Sequence, residues 1–292
     1  MPAPSQQPGA VVVVGSLHYD IMVDAPDRPR KGETVAGYRW RPKFGGKGGN
    51  QAVAAAGAGA VTRMVGAVGA DDFGAFLMAG LDAAGVDRSH VSVLEDAASG
   101  MSVAITDDEG DYGAVIVSGS NLKIPDSNLN EAVLWNDARV LLLQNETDEA
   151  INTAAARRAH AAGVTVCLNA APARALASEL EDLVDVLIVN AVEAEMLSGI
   201  VVDTIEDALR AAVALRRNNR SVVVTAGGAG VAAAIGDRTV SAAAVPVEVI
   251  STHGAGDKFV GVFASAVAHG ASLEVAIDQA NRAAAAHVGG HQ

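Results

Sequence analysis

Ala10-Val11-Val12-Val13-Val14 is a run of five apolar residues, four of them β-branched, closed by Gly15-Ser16. It is too short to be a convincing helix, and β-branching favours extended backbone. With no polar position in the run, a strand here needs cover on both faces. Working outward, similar runs recur at Thr62 to Val65, Val140 to Leu143, Thr165 to Leu168, Val186 to Val189 and Ser221 to Thr225. Between them Gln51 to Gly59, Asp72 to Gly85, Thr147 to Ala162, Thr204 to Arg217 and Gly254 to His269 have helical length and composition. Doubly apolar strands alternating with helices give an α/β fold, a mostly parallel sheet with helices on both faces.

Two stretches break the alternation. Ile21 to Trp40 and Gly100 to Val117 read as extended, and Asp107-Asp108-Glu109-Gly110-Asp111 marks a turn between two strands. Both interrupt the large domain, so a small sheet built from them would sit over it as a lid. The chain is therefore read as one domain, 1–292, with lid segments at about 17–43 and 98–119.

Composition narrows the function. With 50% hydrophobic and 19% charged residues over 292 positions, the chain can bury one large core. A net charge of −13 argues against nucleic acid or an anionic membrane as partner, and 3% aromatic residues are too few for base-stacking platforms. No apolar run approaches the roughly 20 residues of a membrane span, and Met1 to Ala10 lacks the pattern of a signal peptide, so a cytoplasmic location is expected. Cys167 is the single cysteine; it excludes an intramolecular disulfide and a cysteine metal cage, and reads as a buried thiol.

Four stretches carry chemistry. Phe44-Gly45-Gly46-Lys47-Gly48-Gly49-Asn50 places glycines around a lysine before an alanine-rich helix, which permits close approach of the backbone to a ligand or serves only as a turn. It lacks the P-loop spacing. Thr252-His253-Gly254-Ala255-Gly256-Asp257-Lys258-Phe259 also precedes a long helix; its small residues expose first-turn amides to an anion, and Asp257 stands where a carboxylate can accept a hydroxyl proton or simply favour the helix start. Asn190 and Glu193 follow a strand, where ligands gather in such sheets, yet their spacing is equally that of a capping box. Thr225-Ala226-Gly227-Gly228-Ala229-Gly230 follows another strand, as a turn or as a surface for nucleotide phosphates.

Taken together and in this order, the motifs resemble those of the ribokinase-like, or PfkB-type, carbohydrate kinases. Gly45 to Ala54 is similar to that family's first signature and Thr252 to Gly261 to its second, with Leu168 to Ala173 and Asn190 to Glu195 fitting between them. The resemblance runs from about Val11 to near the end of the chain. It implies a three-layer doubly wound domain with a β-sheet lid, ATP with Mg2+ as phosphoryl donor, a sugar hydroxyl as acceptor, and a homodimer formed through the lid. By position it implies Asp257 as catalytic base and the amides of Gly254, Ala255 and Gly256 as anion hole. His18, Asp20, Gly46, Lys47, Asn50 and Glu146 would surround the sugar, Asn190, Thr225, Gly227, Gly230 and Asn281 the nucleotide, and Glu193 would act on the metal through water or phosphate. Ribose or a related small sugar is the expected acceptor; a nucleoside or pseudouridine kinase, and a sugar-binding regulatory protein of little catalytic power, are the rival readings.

The sequence departs from the family pattern at several points. Ser251 stands where ribokinases carry an acid of a potassium site, which puts K+ activation in doubt. Lys258 follows the expected base, where it would favour the ionised carboxylate if it pointed that way. His18 replaces a sugar-contacting asparagine and Tyr19 is larger than the usual neighbour, which implies an altered acceptor pocket. The chain ends soon after Ala283 to Gln292, so the closing segment is expected to be shortened.

Overall fold

The structure, a computed structural model, describes residues 9–218 and 220–290. Along the chain run β1 (Ala10–Val14), β2 (His18–Asp24), β3 (Arg39–Gly45), α1 (Lys47–Gly57), β4 (Thr62–Gly69), α2 (Asp72–Ala83), β5 (Asp87–Leu94), β6 (Met101–Thr106) and β7 (Tyr112–Val117). Then come α3 (Ala132–Trp135), β8 (Ala138–Gln144), α4 (Glu149–Ala161), β9 (Thr165–Asn169), α5 (Ser178–Leu183), β10 (Val186–Asn190), α6 (Ala191–Ser198) and α7 (Ile205–Ala214). The chain closes with β11 (Ser221–Thr225), β12 (Val231–Ile235), β13 (Arg238–Ala242), α8 (Ala255–Ala268) and α9 (Leu273–Val288).

The main sheet has the order β13-β12-β11-β10-β9-β8-β1-β4-β5, with β5 to β11 mutually parallel across it and β12 and β13 antiparallel at one edge. Strand β1 is central. Val12 and Val14 enter one core layer with residues of α4 and α7, while Val11 and Val13 enter the other with Phe259 and Phe263 of α8. All four valines have no exposed surface, so each contributes on the order of 1.5–3 kcal/mol relative to exposure. This two-sided burial is why the run is apolar at every position rather than at alternate ones.

A second sheet, β3-β2-β6-β7, forms the lid. Its extent differs from the sequence reading: residues 25–38, within the segment read as extended, lie outside any strand, and β3 runs on to Gly45. Pro26, Pro29 and Gly32 interrupt the pairing there. Strands β5, β12 and β13 were not legible as strands. Ala232-Ala233-Ala234 in β12 has helical composition but pairs with β13 across Gly236-Asp237, with Gly236 at φ 54°, a two-residue turn that begins on glycine.

Helix α1 starts at Lys47, four residues before the expected Gln51. Its glycines therefore serve close packing rather than a loose turn. A Cβ on Gly48 would lie 2.6 Å from the Gly15 carbonyl carbon and the Ser16 nitrogen, and one on Gly49 2.8 Å from Leu17 and Phe44. The helix is pressed against the end of β1, and overpacking there displaces the strand end that carries the site. Gly48→Ala is expected to destabilise the fold by about 1–3 kcal/mol, read as a lower midpoint in urea unfolding with an unchanged slope.

Candidate active site

Both site helices open on a glycine with positive φ and no capping side chain: Gly46 (φ 85°) before α1 and Gly254 (φ 81°) before α8. In contrast, Asp71, Asp148, Asn190, Thr204 and Ser272 cap α2, α4, α6, α7 and α9 through their side chains. The first amides of α1 are used within the protein. Lys47 N donates to Glu146 Oε2 (2.9 Å), Gly48 N to Ser16 Oγ (3.4 Å) and Gly49 N to the Ser16 carbonyl (2.9 Å). At α8, Ala255 N donates to the Thr252 carbonyl at 3.2 Å, whereas the amides of Gly256 and Asp257 have no partner among the described residues. The Gly254 amide likewise has no partner among the described residues, so of the three expected donors Gly254 and Gly256 are free and Ala255 is engaged.

Asp257 occupies the first turn of α8 and faces α1. Its Oδ2 accepts from Asn50 Nδ2 and its Oδ1 from Gln51 Nε2, both at 3.0 Å. Burial raises its carboxyl above the ordinary carboxylate value; Lys47 and the two amides oppose that rise, and Glu146 adds to it. Lys47 of α1 is the cation that opposes this rise.

The residues expected around a sugar come together where the small sheet meets α1. His18 and Asp20 share the inner face of β2, both buried. Ser102 Oγ donates to Asp20 Oδ1 at 2.5 Å, and Lys43 lies across the β2–β3 pairing from Asp20. Burial raises the Asp20 carboxyl, against Ser102, His18, His253 and Lys43, and burial lowers the Lys43 ammonium, against the attraction of Asp20 and Asp257. Glu146 Oε2 accepts from Ser16 Oγ at 2.5 Å and stands 3.9 Å from His18 Nδ1. His18 Nε2 is buried without a partner, a donor or acceptor left for a ligand. Tyr19 points the other way: alternation along β2 turns it to α2, where it stacks on Phe73 at 4.1 Å. The expectation that its bulk alters the acceptor pocket is corrected by that geometry; His18 is the substitution that faces the pocket.

On the nucleotide side, Thr225 ends β11, and Gly227 (φ 52°) and Gly230 (φ 105°) shape the turn that follows. A Cβ on Gly230 would lie 2.2 Å from the Ala242 carbonyl oxygen. Asn281 of α9 donates to the Ala243 carbonyl at 2.8 Å, which brings it to the same corner. Asn190 and Glu193 form a true capping box, each accepting from the other's amide. The Glu193 carboxyl is nevertheless raised by burial, against the Asn190 amide and Lys47, with Asp257 adding to it. The Asp20, Glu193 and Asp257 carboxyls are all raised, which makes this cluster the candidate site. Among the described residues no group of three or more His, Cys, Asp or Glu side chains forms a metal cage.

The pfkB family carbohydrate kinase model matches residues 9–292. The chain belongs to that family. A ribokinase of Bacillus subtilis is 37% identical over 279 residues, covering 95% of this chain and 92% of its own. One of Mus musculus is 34% identical over 294 residues, covering 98% and 91%. The structure of Arabidopsis thaliana ribokinase complexed with ribose and ATP superposes with a TM-score of 0.88 at 31% identity, over 97% of this chain and 93% of that one.

Sequence reasoning about this pfkB kinase missed a buried amide chain behind Asp257. Gln144 Nε2 donates to Gln51 Oε1 (2.8 Å), and Gln51 Nε2 donates both to Asn169 Oδ1 and to Asp257 Oδ1 (3.0 Å each). Asn169 Nδ2 in turn donates to the Ile188 carbonyl (3.1 Å). Gln51 and Asn169 each have one orientation that fits these partners, while Gln144 Oε1 is buried without a partner among the described residues; Asp257 is thus aimed from the sheet. The available signal was positional: Gln144 and Asn169 end β8 and β9, where polar residues interrupt apolar runs. Lys43 and Ser102 were likewise missed, because cross-strand pairing in the lid joins them to Asp20. Gln51→Leu keeps the size but removes the donor to Asp257. It is expected to lower kcat by about 10²-fold with a smaller change in KM, checked by steady-state kinetics.

Proposed function

We propose that this ATP-dependent sugar kinase transfers the γ-phosphate of ATP to a hydroxyl of ribose or a related small sugar. Supporting it most directly is the pairing of Asp257, a raised carboxyl held by Asn50 and Gln51, with unpaired amides in the same helix turn. Asp257 accepts the hydroxyl proton while the acceptor oxygen bonds to the γ-phosphorus and the bond from that phosphorus to ADP breaks. The Gly256 and Asp257 amides, with Lys47, stabilise charge on the moving phosphoryl oxygens. Asp20, with Lys43 and His18 beside it, and Glu146 orient the sugar hydroxyls; a missing hydroxyl leaves buried groups unpaired, and this gives selectivity. Thr225, Gly227, Gly230 and Asn281 hold the nucleotide. Mg2+ fits as a cation carried on the phosphates with Glu193 reaching it through water, because this ion usually keeps several waters and needs few protein ligands; bound there it neutralises phosphate charge. Ser251 supplies no charge to a monovalent cation and accepts from His253 N at 3.3 Å, in keeping with turnover that does not depend on K+.

The lid also suits a homodimer: Trp40 and Val115 are 64% and 68% exposed on β3 and β7, the two edge strands of its sheet. A dimer is expected by light scattering, and Val115→Lys is expected to shift it towards monomer.

The test of the reaction is ADP release over a panel of pentoses, deoxypentoses and nucleosides. Ribose-type sugars should turn over best; a preference for nucleosides would overturn the acceptor assignment. Asp257→Asn should nearly abolish turnover while sugar affinity persists, and near-normal turnover would exclude it as base. Because the Asp257 carboxyl is raised and only its ionised form accepts a proton, kcat/KM should fall on the acid side at a pH above the ordinary carboxylate value of 3.8. Lys47→Met, which removes the cation that lowers it, should move that acid limb to higher pH.

A further inference from the structure

A second cavity, of about 190 Å³, lies away from the cleft, among α5, α6 and α7 on one face of β10. Apolar groups including Leu187 and Leu197 form part of its wall, and Arg174, Arg217, Arg220 and Glu181 form the rest. Glu181 is already engaged, accepting from Arg217 Nη1 at 3.0 Å. Arg220 is 6% exposed and donates one Nη2 bond to the Leu215 carbonyl at 2.7 Å, yet its Nε has no partner among the described residues. The Nε of Arg174 is also buried and unpaired; the nearest carboxylate oxygen, on Glu149, stands 4.0 Å away, beyond hydrogen-bond reach.

Two unpaired guanidinium donors at one cavity are unexpected in a chain of net charge −13, where carboxylates outnumber cations. An arginine does not shed its proton to relieve burial, so a buried one keeps both its charge and its unmet hydrogen bonds. Burial pushes the Arg220 group down, and Arg217 adds to this against the partial relief from Glu181. Neutralisation from outside the chain answers all three observations, and the apolar wall limits what can supply it.

We propose that this cavity binds a small organic anion, its carboxylate or phosphate head taken by the free Nε–H groups of Arg174 and Arg220 and its short carbon body by the leucine wall. Oxyanions match the guanidinium fork, and the volume admits a body of only a few carbon atoms. The cavity adjoins residues tied to the cleft: Ala170 follows Asn169 of the amide chain, and Ser198 ends the helix that begins at the Asn190–Glu193 box. None of its charged residues belongs to the proposed catalytic machinery, so the inference stands apart from the acceptor assignment.

Calorimetric titration of the full chain with glycerol 3-phosphate and, separately, with glutarate tests it and tells the two head groups apart. Binding of one or both should persist in Lys47→Met, which removes the cleft cation. It should weaken roughly tenfold or more in Arg174→Gln and Arg220→Gln, as loss of a charge-assisted hydrogen bond implies. No binding of either anion, binding lost in Lys47→Met, or binding unaffected by the arginine changes would overturn the proposal. Cooperative thermal unfolding checks that Arg220→Gln is folded; if it is not, the partly exposed Arg174 decides the outcome alone.

Discussion

Unspent backbone charge at the start of α8 is the constraint on which the site depends. Most long helices of this protein close their first turn with a side-chain oxygen, but Gly254 at φ 81° has none to offer, and the amides of Gly256 and Asp257 are left without a partner among the described residues. The same turn carries Asp257, whose negative charge would satisfy the helix dipole were it not turned towards α1 and held there by Asn50 and Gln51. Donors and acceptor therefore emerge from one turn of backbone without competing for each other, an arrangement that needs an external anion to complete it.

The rest of the electrostatics follows from placing a polyanion in an acidic protein. Lys43 and Lys47 stand inside the cleft, and His253 is held there with its basicity lowered by burial and by Lys43. Lys43 opposes the rise of the Asp20 carboxyl and Lys47 that of Glu193 and Asp257, while Asp20 and Asp257 oppose the lowering of the Lys43 ammonium. Cations and anions in the site thus offset one another's shifts, and removing either changes both.

The amount of this that could be read from sequence depended on the range of the interactions. The central strands were legible because two-sided burial leaves a continuous apolar run, as in Val11 to Val14. The edge hairpin of β12 and β13 was not, since alanine carries little strand preference and only the Gly236 turn betrayed it. In the site, Asp257, Asn50 and Glu146 were identified through motifs that cluster along the chain. Gln144 and Asn169 were not, because their roles depend on contacts with Gln51 across 93 and 118 residues of sequence. Tyr19 was misread for a simpler reason: neighbours on a strand face opposite sides, and proximity to Asp20 in sequence placed it on the wrong one.

The amide chain from Gln144 through Gln51 anchors Asp257 to the interior of the large domain, whereas Asp20, Lys43 and Ser102 belong wholly to the small sheet. On the proposed assignment the base thus rests on the large domain and much of the acceptor side, Glu146 excepted, on the small sheet. A lineage of this architecture can exchange one polyol for another by redecorating the cover, leaving the reaction centre untouched.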